Sequence, residues 1–485
     1  MNIGLAMLAI GAVLAASVAV ALGAAKSGLP VLVAFLGLGM LLGSDGPGGI
    51  DFDDARLARE VGVVSLAAIL YEGGLSTSWR RLREVALPAL SLSTVGVVVT
   101  AGVTGVAAYS LFDLSWTESL LLGAVVASTD AAAVFATLRT TRLRRRIART
   151  LEAESGANDP VAIALTLGLI AWVEQPGYGA GDLTLLVVRQ LGLGLVIGVA
   201  LSLVAMWVFA RIPPSIAAFV PVASVAAAAV AYGAADAAHG SGFLAVYLVG
   251  LAVGSTPSRY RGQLVAFHLG LAYVAQVALF IVLGLLVFPS RLPHVALAGL
   301  GLTAVLILVA RPVAVWMSTV ALRRFDRRER LLLGWAGLRG AVPIVLGTFV
   351  LSSHVSSADT IFNAVFFVVL VSAALQGTTL EWFANKLGLL VSFARTEAPI
   401  EVTRDWHSLN LVEFPVSPDH AIAGTTVREL GLPRDSLVAV LVRGDDAIPP
   451  RGTTTIEPGD VLFVLAPHGK RPELEDVFSR WRQRI

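Results

Sequence analysis

The 485-residue chain contains no cysteine. That excludes disulfides, thiol nucleophiles and cysteine-ligated metals, and leaves the redox compartment open. Charge is scarce as well: Asp, Glu, Lys and Arg make up only 14% of the residues, against about 25% in a soluble globular chain. No phosphate-binding loop is present, which removes an ATP-driven pump. No TVGYG-like filter is present, which counts against a selective channel. An intramembrane aspartyl protease would need a Gly-x-Gly-Asp pattern in an apolar run. The only Gly-Asp pairs, Gly181-Asp182, Gly444-Asp445 and Gly459-Asp460, fall in a loop or near the C-terminus.

What is abundant is apolar: 56% of the residues are hydrophobic and the mean hydropathy is +0.78. The chain reads as a polytopic membrane protein, all-α in its membrane part, with the lipid bilayer as its first partner. Apolar runs long enough to cross about 30 Å of hydrocarbon predict thirteen spans, near 2–24, 28–43, 58–76, 85–111, 117–138, 151–173, 183–210, 215–235, 242–255, 262–288, 294–321, 330–351 and 360–390. The first lacks a basic n-region and is expected to be a span and not a signal peptide.

The formal net charge of +2 hides an alternation. Segments after the odd spans carry Lys26, "WRRLRE", "RTTRLRRRIAR", Arg211, "SRYRG" and "LRRFDRRER"; those after the even spans read "SDGPGGIDFDD", "FDLSWTE", "EQPGYGAGD", "DAAHGSG", "SRLPH" and "SSHVSSAD". Cytoplasmic loops are enriched in Lys and Arg, so the N-terminus is expected outside and everything after residue 390 inside. Asp51, Asp53 and Asp54 in the first exterior loop are expected to be a solvated acidic stretch and not a cation site.

Past Arg395 the composition changes. "LNLVEFPV" (409–416), "SLVAVLVRG" (436–444) and "DVLFVLAP" (460–467) alternate like short strands, and "ELEDVFSRWRQRI" looks like a closing amphipathic helix. The expected organisation is a transmembrane domain over 1–392, a linker over 393–405 and a small α/β cytoplasmic domain over 406–485.

Charged groups within membrane spans are costly and mark function by default. In "ESGANDPVAIAL", Glu154, Ser155, Asn158 and Asp159 fall within about 140° of one another at 100° per residue, giving one polar face. Pro160 removes the hydrogen bond to the Gly156 carbonyl, freeing an oxygen one turn before the Asp159 carboxylate. Such oxygens suit a hard monovalent cation. A second centre is "ASTDAAAVF", where Ser128, Thr129 and Asp130 interrupt an apolar helix as in the broken helices of transporters. A third is "GWAGLRGAVPIVLG", with Gly334, Gly337 and Gly340, the breaker Pro343, and Arg339 as a deeply placed cation. Arg339 requires an anionic partner, and Glu154 is the expected one, leaving Asp159 free to exchange its ligand. The two interrupted spans lie seven apart, an odd offset that makes them antiparallel, as inverted repeats require.

Burial favours the neutral form of a carboxylate and an adjacent cation favours the charged form, so proton and metal ion compete for one site. Asn158 in place of a second Asp points to a one-for-one, electroneutral exchange.

Thr129-Asp130, then Glu154-Ser155 with Asn158-Asp159, then "GLRGAVP" resemble the NhaP-type branch of monovalent cation:proton antiporters over about residues 1–390. The resemblance implies a secondary transporter and not an enzyme, working by alternating access without a cofactor, with K+ or Na+ and H+ as its transported species. It implies that Asp159 carries the ion and the proton, that Thr129, Asp130, Ser155 and Asn158 line the site, and that Glu154 pairs with Arg339. It further implies a homodimer, in a bacterial cytoplasmic membrane, with an ion-binding bundle that moves beside a dimer-forming domain. The family often has a proline after the fifth-span Asp; Ala131 stands there, which bears on the unwinding of that helix. The C-terminal part resembles a TrkA C-terminal type regulatory domain, found on potassium channels and transporters. No G-x-G-x-x-G fingerprint precedes it. It implies regulation by a small, nucleotide-like cytoplasmic ligand, no nucleic acid partner, and potassium ahead of sodium. A gated cation channel with a regulatory tail is the alternative.

Overall fold

The computed structural model describes residues 3–27, 30–130, 134, 141–256, 258, 260–322, 324–392, 409–443, 446–467 and 471–482. The chain divides into two compact units, Met1–Thr396 and Glu397–Ile485. The expected linker over 393–405 lies outside the described residues.

The first unit is helical because lipid offers no partner for backbone N–H and C=O groups, which must bond within the segment. Its helices are α1 (Ile3–Ser27), α2 (Val31–Leu42), α3 (Ala55–Ser76), α4 (Trp79–Ser91), α5 (Val97–Leu111), α6 (Trp116–Val125), α7 (Arg145–Glu174), α8 (Ala180–Phe209), α9 (Val220–Ala237), α10 (Gly242–Ser255), α11 (Arg261–Leu285), α12 (Leu292–Val305), α13 (Arg311–Thr319), α14 (Arg327–Trp335), α15 (Ala341–Leu351) and α16 (Ala358–Lys386). Among the described residues, eight helical stretches are long and apolar enough to cross a membrane, and Val31–Leu42, Gly242–Ser255 and Ala341–Leu351 are shorter apolar helices. A π-helical turn, Leu92–Gly96, joins α4 to α5, and another, Leu306–Ala310, joins α12 to α13. The expected runs 85–111 and 294–321 are therefore continuous but re-phased, again seven spans apart, as the two interrupted spans are.

Close helix packing rests on glycines where two backbones touch. At the crossing of α3 and α10, a Cβ on Gly74 would lie 2.5 Å from the Tyr247 carbonyl oxygen and 2.8 Å from the Leu251 nitrogen. The buried core lies where α6, α7, α15 and α16 meet, around Leu121, Leu122, Ala162, Ile163, Ile344, Leu346, Val365 and Phe366. Leu185, Val188, Val196, Leu203 and Trp207 of α8 face outward. Strands β1 (Thr141–Leu143) and β2 (Leu390–Ser392) pair antiparallel, tying the segment before α7 to the chain that leaves α16. In the acidic loop, Asp54 caps α3 by accepting from the Leu57 N–H at 2.9 Å. Asp51 accepts from the Ser44 hydroxyl at 3.3 Å. Asp45 accepts from the Ser290 hydroxyl and N–H, which holds its carboxyl below the ordinary value.

The second unit carries an antiparallel sheet of β3 (Leu409–Pro415), β4 (Leu437–Arg443), β5 (Asp446–Ile448) and β6 (Val461–Pro467), in the order β3-β6-β4-β5. Helix α17 (Arg471–Arg482) closes it. Phe414, Leu441, Ile456, Leu462, Val464, Phe478 and Trp481 fill the core. Arg443 grips the buried Asp460 through Nε at 2.8 Å and Nη2 at 2.9 Å. Strand β5 was not expected: three residues are too short to show a period.

Candidate functional site

The site forms where two interrupted helices cross. Helix α6 ends at Val125 and the chain runs unwound through Ser128–Asp130; α14 ends at Trp335 and regular helix resumes only at Ala341. Unwinding occurs without a proline at position 131; Ala131 itself lies outside the described residues. Each break exposes backbone groups that must be paired, and the other break supplies partners. The Asp130 N–H donates to the Leu338 carbonyl at 2.9 Å. Arg339, almost wholly buried, donates from one guanidinium nitrogen to the carbonyls of Ala127 at 2.7 Å and Ser128 at 2.6 Å. Gln376 of α16 donates to the Trp335 carbonyl at 2.7 Å and accepts from Ser372.

The charges follow the helix dipoles, which favour cations at C-terminal ends and anions at N-terminal ends. Arg339 sits past the end of α6. The Asp130 carboxylate lies against Gly340, at the start of α15, and occupies the space a Cβ there would need. Gly337 likewise makes room: a Cβ would lie 2.6 Å from Arg311 Nε. Gly334 is different, since its Cβ would meet Pro312 at an ordinary 3.6 Å.

The expected ion pair is corrected here. Glu154 contacts Arg311, not Arg339, at 2.6 Å, with the two side chains 1% and 3% exposed. Arg339 is committed to backbone carbonyls, while Arg311 follows the π-helical turn that aims it across Gly337. Sequence reasoning passed over Arg311, although a signal existed: a lone Arg before Pro312 inside an apolar run.

Helix α7 holds Pro160 without ending. One face presents Ser155 and Asp159 to a cavity of about 310 Å³ that is also lined by Ser128, Thr129 and Asp130. Asp159 is buried, its Oδ1 has no hydrogen-bond partner, and no ion pair to it occurs among the described residues. Ser155 donates to the Thr129 carbonyl at 3.0 Å. Asn158 is fully buried and is not part of the cavity wall; its amide donates to the Thr129 hydroxyl at 2.7 Å. The cavity is also lined by Glu72 of α3, Tyr247 of α10 and Gln276 of α11, none of them singled out from the sequence. Gln276 left a trace, an amide alone in an apolar helix.

Known proteins resemble this chain along nearly its whole length. The family described as "Sodium/hydrogen exchanger, transmembrane" matches residues 12–386, and the TrkA-C domain matches 411–479. The K(+)/H(+) antiporter NhaP2 of Shewanella sp. (strain MR-4) is 38% identical over 479 residues, covering 97% of this chain and 83% of the relative. The K(+)/H(+) antiporter NhaP of Alkalimonas amylolytica is 35% identical, covering 98% and 84%. The Na(+)/H(+) antiporter NhaH of Halobacillus dabanensis is 27% identical, covering 67% and 82%. Among solved structures, the sodium proton antiporter MjNhaP1 of Methanocaldococcus jannaschii aligns with a TM-score of 0.70 and 24% identity, covering 80% of this chain and 99% of that one, which speaks to the fold. A family match over most of the chain, and relatives above one-third identity along nearly all of it, carry one conclusion: this multi-pass membrane protein is a transporter that belongs to the sodium/hydrogen exchanger family of cation:proton antiporters.

Proposed function

We propose that Asp159 is the group at which a monovalent cation and a proton compete, and that the preferred cation is potassium, with sodium second. The carrying observation is that Arg311 takes up the charge of Glu154. Asp159 is left as a buried carboxylate on the cavity with no basic partner among the described residues. Asp130, Ser155 and Thr129 supply further oxygens on the same wall, a donor set that suits a hard cation. With Asn158 as an amide, one charge is exchanged for one. Support for potassium comes from relatives named K(+)/H(+) antiporters that span this chain almost entirely, C-terminal domain included, whereas the relative named a Na(+)/H(+) antiporter covers 67% of it.

The protein works as a homodimer in the cytoplasmic membrane of a bacterium, with its N-terminus outside and the C-terminal domain in the cytoplasm, where that domain binds a small ligand and regulates exchange. The basic segments after the odd spans support this orientation, and the outward apolar face of α8 is available to lipid or to a second copy.

The test is proton-gradient dissipation in sealed vesicles on adding KCl, NaCl or LiCl. Asp159→Asn removes the titratable group and keeps the shape, so exchange should vanish while the protein stays folded by gel filtration. In the wild type, the apparent KM for the cation should rise as pH falls, because protons compete. Ordinary exchange in Asp159→Asn would end the proposal, and cation flux without proton counterflow would favour a channel.

A further inference from the structure

Tyr247 is held in place by an unusually close helix contact. Its carbonyl oxygen lies under Gly74, and one turn on Gly250 lies on the α3 backbone at Tyr71. No side chain separates α3 from α10 there, so the Cα of Tyr247 has little freedom. From this fixed point the phenol reaches α7. A Cβ on Gly156 would lie 2.6 Å from Cε2, 2.8 Å from Cζ and 2.9 Å from the hydroxyl oxygen of Tyr247. The ring is buried and lines the cavity with Ser155, Gly156 and Asp159.

Gly156 follows Ser155 and stands two residues before the Asn158-Asp159 pair, on a helix where glycine costs stability relative to alanine. Its value is the missing side chain, which lets α7 lie flat on the ring. The cavity is lined by residues of α3, α10 and α11 together with α7 and the two interrupted segments. A site that serves both sides of a membrane in turn must shift its carboxylate relative to the helices packed around it, and here the phenol rests on the backbone of the helix that carries it.

The geometry points to Tyr247 as a positioning residue for exchange: a fixed aromatic stop against which α7 rests when Asp159 faces this cavity. Gly156 is the side-chain-free track that lets the helix pass it. The inference rests on the assignment of Asp159 as the exchanging group. Tyr247 acts through α7 and not as a ligand, so a methyl added at the contact should slow the shift of the site more than it weakens cation binding.

The experiment uses the full chain in sealed vesicles, with KCl as the probe and cation-dependent proton flux as the readout. Overpacking a tight contact is expected to lower the maximal rate of Gly156→Ala by about tenfold or more. The apparent KM for K+ should change much less, a split that marks turnover and not binding. Adding Tyr247→Leu should restore part of the lost rate, because the smaller side chain vacates the space of the ring while still giving α7 a surface to rest on. Tyr247→Trp, which enlarges the stop and leaves Gly156 intact, should reproduce the slow phenotype and covers the case in which Gly156→Ala fails to fold. Wild-type rates in folded Gly156→Ala and Tyr247→Trp would overturn the proposal, as would a double variant no faster than Gly156→Ala. A wild-type protein without exchange, or a fully active Asp159→Asn, would instead count against the assignment of Asp159.

Discussion

Two arginines stand within reach of one buried glutamate, and their roles differ. Arg339 donates to two carbonyls released by the break after α6, so it acts as a cap. Arg311 neutralises Glu154. Removing one member of a buried pair leaves an uncompensated charge and costs on the order of 3–5 kcal/mol. Arg311→Ala should therefore lower the thermal midpoint in detergent and impair exchange. Glu154→Gln combined with Arg311→Met, which removes both charges and keeps volume, should recover part of the stability. A double variant no more stable than Arg311→Ala would refute the pairing. That Asp159, Ser155 and Asp130 come together on one cavity was legible in the sequence, because polar residues in an apolar helix must face protein or water. The partner of Glu154 was not, since a single sequence offers several cations and the packing of helices distant in the chain brings Arg311 to it.

At the scale of elements, the apolar helices were readable from hydrophobic runs, since the bilayer fixes segment length; among the described residues eight are long enough to cross and three are shorter. Periodicity could not show that 330–351 is two half-helices, because apolar residues continue through the break; only "GLRG" marked it. The breaks work as a pair, each feeding the other's unpaired backbone, with Asp130 at the start of α15 and Arg339 at the end of α6. Of the three glycines, two are tight and one is not, which gives a contrast to measure. Gly340→Ala would place a methyl where the Asp130 carboxylate lies. Overpacking of this kind costs about 1–3 kcal/mol, so both the thermal midpoint and the exchange rate should fall. Gly334→Ala sits within α14 with its Cβ at an ordinary contact. It should be tolerated or slightly stabilising, since alanine is favoured over glycine in a helix by about 1 kcal/mol. Equal damage from both substitutions would mean that the Asp130–Gly340 approach is not what the motif protects.

For the whole molecule, the question is what a small sheet domain adds to a membrane exchanger. Every intramembrane residue assigned to transport precedes residue 390, and the second unit has its own core and its own ion pair between Arg443 and the buried Asp460. A separate domain biases a membrane equilibrium only if it binds a ligand or partner differently in two states. The last described strand before it, β2, pairs with β1 immediately ahead of the helix that carries Asp159. A truncation should therefore leave that pairing intact, and a stop after Ser392 does so. The truncated protein should exchange the same cations in the same order of preference, while its rate as a function of pH or cytoplasmic ligand departs from that of the full chain. Cation-driven proton flux in vesicles, measured across a pH series for both proteins, checks this. If the truncated protein is folded and inserted but moves no ions, the C-terminal domain is part of the transport machinery and the regulatory role fails; if its pH and ligand response match the full chain at every point, the domain does not act on exchange.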